Sequence, residues 1–485
     1  MTTARLRAQE QRALDGLERL AAQRTVRVGD HHREIAGAEV HERLGGPMSA
    51  EQAAAQRVLT GPERAAVLIG PAGTGKGVVI DAVARTETSA GRRVLGVAVA
   101  GSTAERLGRD SPALEGRVVN IDALLARVDA GQLPIDVHTT VIFDEAGMAD
   151  TQRLQRLVAA IEEHGGKLVL VGDARQLASI GPGGLFARAG GLAPVAELAD
   201  VRRTQDPEER EAWHQLRAGE PERAMAHYRG RGQLHMADTR DQALEGAVRR
   251  YDGLALEHGI AEVALMRDGS NTEIDRMNAR AQRLRLQRGE LGEHELELPD
   301  APYALRAGDR VMWTAPQLIE QQARVENGSR GDVLDVDPKD GRVRVRLDGT
   351  RRDVNVSAAD LSSLKLAYAQ HLYRQQGATV KRAVSLTGGW QTSREGAYVQ
   401  ASRARAGTDW HVAREDLGTN GQDAERVDRL AAAMRVSRAQ APSVHFALRD
   451  ELHVAAVAHQ EHVDRGRPSA PVRAPVPLEV PGVER

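Results

Sequence analysis

The chain has 485 residues, enough for two or three domains with cores of their own, and 41% are hydrophobic and 28% charged, the balance of a soluble globular protein. No apolar run approaches the roughly 20 residues that cross a bilayer, the amino terminus has no apolar signal stretch, and the absence of cysteine excludes disulfides and thiolate-held metals, so a cytoplasmic chain is expected. Sixty-six basic against 68 acidic residues leave a net charge of −2, so a nucleic-acid surface would have to be a local patch.

In chain order, residues 1–46 are expected to be a polar helical lead-in, ending at Gly45-Gly46-Pro47. A first lobe over 47–200 alternates short apolar runs (65–69, 94–99, 140–143 and 167–171) with amphipathic stretches. In one of these, 150–163, Leu154, Leu157, Val158 and Ile161 share a face. Strand-then-helix alternation predicts an α/β fold with a parallel sheet covered on both sides. A second such lobe is expected over 201–302 and 366–430, with strands at 262–266 and 383–386. Between its halves, 303–365 carries short alternating strands separated by turn residues such as Asn327-Gly328 and Asp348-Gly349, which predicts a small inserted antiparallel barrel. A helical segment over 431–464 and a disordered Pro-, Val- and Arg-rich tail over 465–485 complete the chain.

Gly70, Pro71, Ala72, Gly73, Thr74, Gly75, Lys76 and Gly77 follow the first apolar run and lead into a helix that begins near Val78. This is the context a phosphate-binding loop requires. Glycines let backbone N–H groups turn toward the phosphates of ATP, the helix N-terminus adds partial positive charge, and Lys76 reaches the terminal phosphates. Gly77 stands where Ser or Thr ordinarily offers a hydroxyl to Mg²⁺. Either water fills that position, or metal binding and hydrolysis are weakened. The run 140–143 ends in Asp144-Glu145. Asp144 is placed to hold Mg²⁺ and Glu145 to orient and deprotonate the attacking water. Gln176, after the next strand, is placed to sense the terminal phosphate.

These pieces in this order resemble the superfamily 1B helicases, the RecD-like group, and within it the helicase part of MobF-type conjugative relaxases. The resemblance covers roughly residues 48–415. It implies two RecA-like lobes with an SH3-like β-barrel inserted in the second. By the same resemblance, Gln52 in Met48-Ser49-Ala50-Glu51-Gln52 would contact the adenine, and Ser102 and Thr103 would contact single-stranded DNA. Arg203, with Arg202 as the alternative, would reach the terminal phosphate, and Arg403 would be a second arginine finger from lobe two. The stretch holding Tyr373, Arg374, Gln376, Gly377 and Thr379 would couple DNA to ATP, Gln376 and Gly377 on the nucleotide side; Tyr373-Arg374 stands where the family often has His-Lys.

The function implied is ATP-dependent movement along single-stranded DNA, 5′ to 3′ by resemblance, in conjugative transfer or DNA processing, with a relaxase or other conjugation proteins as partners. The alternative is a catalytically weak helicase fold that binds DNA or the relaxosome. A P-loop kinase of small molecules would account for the first lobe alone. Trp313, Trp390, Tyr368 and Tyr373 are candidates for base stacking or for core. The arginines at 276, 280, 283, 285 and 288 either track phosphates or form a solvated helix face. Residues 1–46 are too short for the nicking domain of a MobF relaxase, so no nicking is expected of this chain, which would be a fragment, a split partner or a stand-alone derivative. His453, His459 and His462 lack recognisable metal-ligand spacing.

Overall fold

The computed structural model describes residues 4–132, 135–177, 181–298, 301–319, 323–348, 350, 352–375, 377–418, 420–439 and 442. Gln376, the three histidines near the C-terminus, most of the expected 431–464 helical segment and the 465–485 tail lie outside them.

The first sheet has six parallel strands: β1 (Ala65–Ile69), β2 (Arg93–Ala98), β3 (Val118–Asn120), β4 (Thr139–Phe143), β5 (Lys167–Gly172) and β6 (Val195–Glu197), in the order β3-β2-β4-β5-β1-β6. Its central strands are buried almost throughout because helices cover both faces. The helix Thr151–His164 starts at Asp150, whose carboxylate accepts the Arg153 N–H, and buries Leu154, Leu157, Val158 and Ile161, the face its periodicity predicts. The amino-terminal segment joins this lobe. Helix Ala4–Ala22 packs on Thr151–His164 so closely that a Cβ at Gly16 would lie 2.7 Å from Val158. Glu87, Arg92 and Lys167 meet in its interior, with Arg92 at 2.8 Å and Lys167 at 3.4 Å from the same carboxylate.

The second sheet takes β7 (Leu234–Ala237) and β8 (Val263–Arg267) before an insertion and three strands after it. The insertion holds β9 (Glu295–Glu297), β10 (Ala304–Arg306), β11 (Arg310–Trp313), β12 (Gln317–Ile319), β13 (Ala323–Val325), β14 (Arg330–Asp337), β15 (Arg342–Leu347), β16 (Asp353–Val356) and β17 (Leu364–Leu366). The chain returns with β18 (Ala369–His371), β19 (Arg382–Thr387) and β20 (Thr408–Ala413), giving a parallel sheet in the order β18-β8-β19-β20-β7. The insertion is an antiparallel sheet, β16-β15-β14-β11-β17, flanked by the hairpins β9/β10 and β12/β13. β16 and β17 are the outer strands of that sheet. Alternation in β15 and β16 turns Val343, Val345, Val354 and Val356 inward with Trp313 and leaves arginines outside. Among the described residues no helix is long and apolar enough to cross a membrane.

Candidate functional site

The loop after β1 is shaped by close approach. Gly73 and Gly75 have φ of 83° and 85°, the left-handed region that favours glycine. A Cβ at Gly73 would lie 2.5 Å from the Cβ of Arg203, and one at Gly75 would collide with the Gln52 amide. Helix Lys76–Ser89 begins at Gly75 with no side chain capping its first turn, where a helix N-terminus can take an anion, and the Val78 N–H turns back to the Gly75 carbonyl at 3.0 Å. The Lys76 ammonium donates to the carbonyls of Gly70 and Pro71 at 2.8 and 3.2 Å, and the Thr74 hydroxyl to Pro71 at 3.0 Å. Gln52 is held by a capping box: its Oε1 accepts the Ser49 N–H while the Ser49 hydroxyl accepts the Gln52 N–H. Position 77 is open, since a Cβ there would meet only Asp110, at 4.0 Å.

β4 delivers the acidic pair beside this loop. Glu145 has φ 51°, the only positive value among the described non-glycine residues, and its N–H donates to Asp144 at 2.9 Å. That departure from ordinary strand geometry stores strain where the carboxylates turn inward. Burial and the adjacent Glu145 charge push Asp144 up to about 6, against Arg106 and Lys76, which hold it down. Gln176 is buried one turn after β5, and Asp173 beside it accepts from Arg217 at 3.1 Å.

Lobe two reaches the same loop. Helix Arg394–Ala401 places the Tyr398 hydroxyl 2.8 Å from the Ala72 N–H, which donates to it. The Arg203 guanidinium donates to the Ser402 carbonyl. Arg403 is buried and donates to Val399 O at 3.1 Å and Ser402 Oγ at 3.0 Å, with Gln375 O and Ala378 O each at 3.4 Å. It is thus brought to the lobe interface with its guanidinium satisfied by lobe-two groups. Burial lowers Arg203 to about 9, helped by the charges of Arg403 and Arg106. Burial likewise lowers Arg403 to about 10, opposed by Glu145. Gly70, Pro71, Ala72, Gly73, Thr74, Gly75, Lys76, Asp144, Glu145, Arg203 and Arg403 therefore share one neighbourhood. Gly377 adjoins it: at φ 77°, its Cα faces the Arg106 guanidinium so closely that a side chain would collide.

The expected DNA contacts separate. Ser102 and Thr103 start helix Gly101–Asp110, and the insertion's turn lies on them. A Cβ at Gly328 would be 2.6 Å from the Ser102 hydroxyl, and the Glu326 side chain abuts Gly101. Arg374 packs on the insertion, 3.3 Å from the Met312 sulfur, and Thr379 is exposed. Trp313 and Tyr368 are core, and the Tyr368 hydroxyl donates to Asp309 at 2.6 Å, so neither can stack on a base. Arg276 and Arg280 bond Asp241, and Arg285 and Arg288 bond Glu290, so four of the five arginines are held in ion pairs, while Arg283 is exposed. Tyr398 and Arg106 lie within stretches that the resemblance marks, 398–405 and 99–107, but sequence reasoning gave neither a role of its own.

A family model described as an AAA domain matches residues 47–239. The chain is 28% identical over 426 residues to the conjugal transfer protein TraA of Agrobacterium fabrum, covering 87% of this chain and 38% of that relative. It is 32% identical over 193 residues to the multifunctional conjugation protein TraI of Escherichia coli, covering 37% of this chain and 10% of TraI. The chain thus spans well under half the length of these relatives. A crystal structure of Bacteroides Pif1 bound to ssDNA superposes with a TM-score of 0.50 at 14% identity, over 75% of this chain and 91% of that one, a likeness of fold.

Proposed function

We propose that this chain is a superfamily 1 helicase of the relaxase/helicase kind, an ATP-driven translocase or helicase on single-stranded DNA in conjugative DNA processing. The observation that carries this is the meeting of both lobes on one phosphate loop: Tyr398 on the Ala72 amide, Arg203 on the Ser402 carbonyl. A nucleotide in that loop would touch groups from both lobes, so its arrival and loss would change how the lobes sit.

In the proposed reaction the loop amides and Lys76 bind the β- and γ-phosphates, and Gln52, whose amide adjoins Gly75, would contact the adenine. Glu145 takes a proton from the attacking water as its oxygen bonds the γ-phosphorus, and the bond to the bridging oxygen breaks to release ADP and phosphate. Arg203 and Arg403 stabilise the charge spread over the transferred group; for that, Arg403 exchanges its carbonyl partners for phosphate oxygens. Asp144, with Glu145 beside it, would hold Mg²⁺, which takes oxygen ligands and keeps several waters, one of which would fill the place of the hydroxyl that position 77 lacks. When bound, Mg²⁺ neutralises phosphate charge. Gln376 and Gly377 would report the nucleotide to Tyr373, Arg374 and Thr379, and Ser102 and Thr103 would hold the strand on lobe one. We read the antiparallel insertion as an SH3-like module, the direction of travel as 5′ to 3′ and the setting as cytoplasmic, with relaxase or other conjugation proteins as partners.

Gly77 favours a second reading, a DNA- or relaxosome-binding module with slow turnover. Steady-state ATP hydrolysis with and without single-stranded DNA separates the two, comparing the native chain with Lys76→Ala and Glu145→Gln. The motor requires DNA-stimulated turnover that both variants lose, Glu145→Gln while still binding ATP and DNA. DNA binding with no stimulated hydrolysis identifies the binding module.

A further inference from the structure

Of the chain's four tryptophans, Trp213, Trp313 and Trp410 are buried, whereas Trp390 is 78% exposed. An indole left in water forgoes a large burial gain, so its position calls for an explanation. Its stem is rigid. Trp390 follows β19 in a turn where the Gly388 N–H donates to the Thr392 hydroxyl at 3.1 Å and the Thr392 N–H to Gly389 O at 3.0 Å. Gly388 sits at φ 100°, and a Cβ there would lie 2.5 Å from Val412. The ring is therefore held out at the carboxyl rim of the second sheet, the rim where open α/β sheets take their ligands.

A cation is fixed beside it. The Arg438 guanidinium lies 5.6 Å from the ring centroid and donates to the Trp390 carbonyl. Arg438 is anchored by its N–H to Glu395 at 2.9 Å, the Ser437 hydroxyl bonds the same carboxylate at 2.7 Å, and the Arg394 N–H bonds Val436 O at 2.9 Å. Tyr373 is 37% exposed, and burial raises its hydroxyl pKa, as do the charges of Asp268 and Glu395, against that of Arg438. Most of the indole stays open to solvent, with a guanidinium over one side of the ring.

We propose that Trp390 and Arg438 form a base-stacking platform for single-stranded nucleic acid, one base lying on the open indole surface and Arg438 facing the adjoining phosphate. This rests on the translocase reading and adds a contact to it. A motor must hold whichever base arrives, and an aromatic face does so because every base has a π-surface, while a guanidinium supplies only donors, suited to phosphate.

The test titrates the full chain with oligo(dT) and follows intrinsic fluorescence. With three indoles buried, quenching on binding should come from Trp390 and vanish in Trp390→Phe, a variant that keeps a smaller stacking surface. Trp390→Ala should weaken oligo(dT) binding roughly tenfold. Arg438→Ala should lower the slope of log affinity against log salt by about 0.7. Binding of oligo(dT) without change in Trp390 fluorescence, or unchanged affinity in Trp390→Ala, overturns the platform while leaving the translocase intact. Absence of both oligo(dT) binding and DNA-stimulated hydrolysis in the native chain overturns the translocase reading itself. A native dimer that Trp390→Ala converts to monomer, seen by sedimentation, makes the surface a self-contact and overturns the platform.

Discussion

The hydroxyl of Tyr398 accepts the backbone N–H of Ala72 at 2.8 Å, joining a lobe-two helix to the loop between β1 and helix Lys76–Ser89. That amide is one of the donors a phosphate would claim, so the tyrosine and the nucleotide compete for it. Tyr398→Phe should tighten nucleotide binding about fivefold, the worth of one neutral hydrogen bond. It should also reduce stimulation of ATP hydrolysis by single-stranded DNA, because one link between the lobes is gone. Titration with a fluorescent ADP analogue checks the first effect. Weaker nucleotide binding in the variant would show that the hydroxyl supports the loop instead of competing for it.

Gly77 lies in the first turn of a helix with open space beside it. Gly77→Ser should therefore fold without strain and raise stability by up to ~0.5 kcal/mol through helix propensity. If a hydroxyl at this position engages Mg²⁺, the variant should also reach half-maximal hydrolysis at lower Mg²⁺. Thermal melting and a Mg²⁺ titration of turnover read the two effects separately.

Glu87 is the shared partner of two buried cations, Arg92 and Lys167, and burial lowers the Lys167 pKa. Glu87→Ala would strand both charges in the interior and should cost about 3–5 kcal/mol, read as a fall in the urea midpoint. Replacing Glu87 and Lys167 together with apolar residues of similar volume should recover part of the loss, since no buried ammonium is then left uncompensated.

His411 is stacked on His235 at 4.6 Å inside the second lobe, near Asp409 and Arg250, and burial, then the His235 and Arg250 charges, depress it to about 3 from an ordinary 6.5. A histidine held neutral on folding stabilises the protein above pH 6.5. Below that the unfolded chain takes up a proton that the folded one refuses, and the contribution is lost progressively as pH falls toward 3. The loss from this residue should reach ~2 kcal/mol by pH 5. Denaturant midpoints at pH 7.5 and 5 should differ more in the native chain than in His411→Phe.

The alternation of apolar runs with amphipathic helices made both α/β lobes legible in the sequence, because strand and helix periodicity are local properties. The Gly70–Gly77 turn and the strand-end pair Asp144-Glu145 stood out for the same reason: each is a run of adjacent residues, and a local run can be read without the rest of the chain. The three-residue strands β3, β6 and β18 were not, since strands so short exist only through their pairing with longer neighbours. Tertiary structure alone decided which aromatic faces water. Trp313 and Trp390 carry the same side chain, and only the packing of the insertion buries the first while the turn after β19 exposes the second. It alone set Tyr398 against Ala72, 326 positions away, and turned Arg403 onto Val399 and Ser402. Motifs state which groups are present, but hydrogen-bond partners are chosen by whatever the rest of the chain brings within about 3 Å.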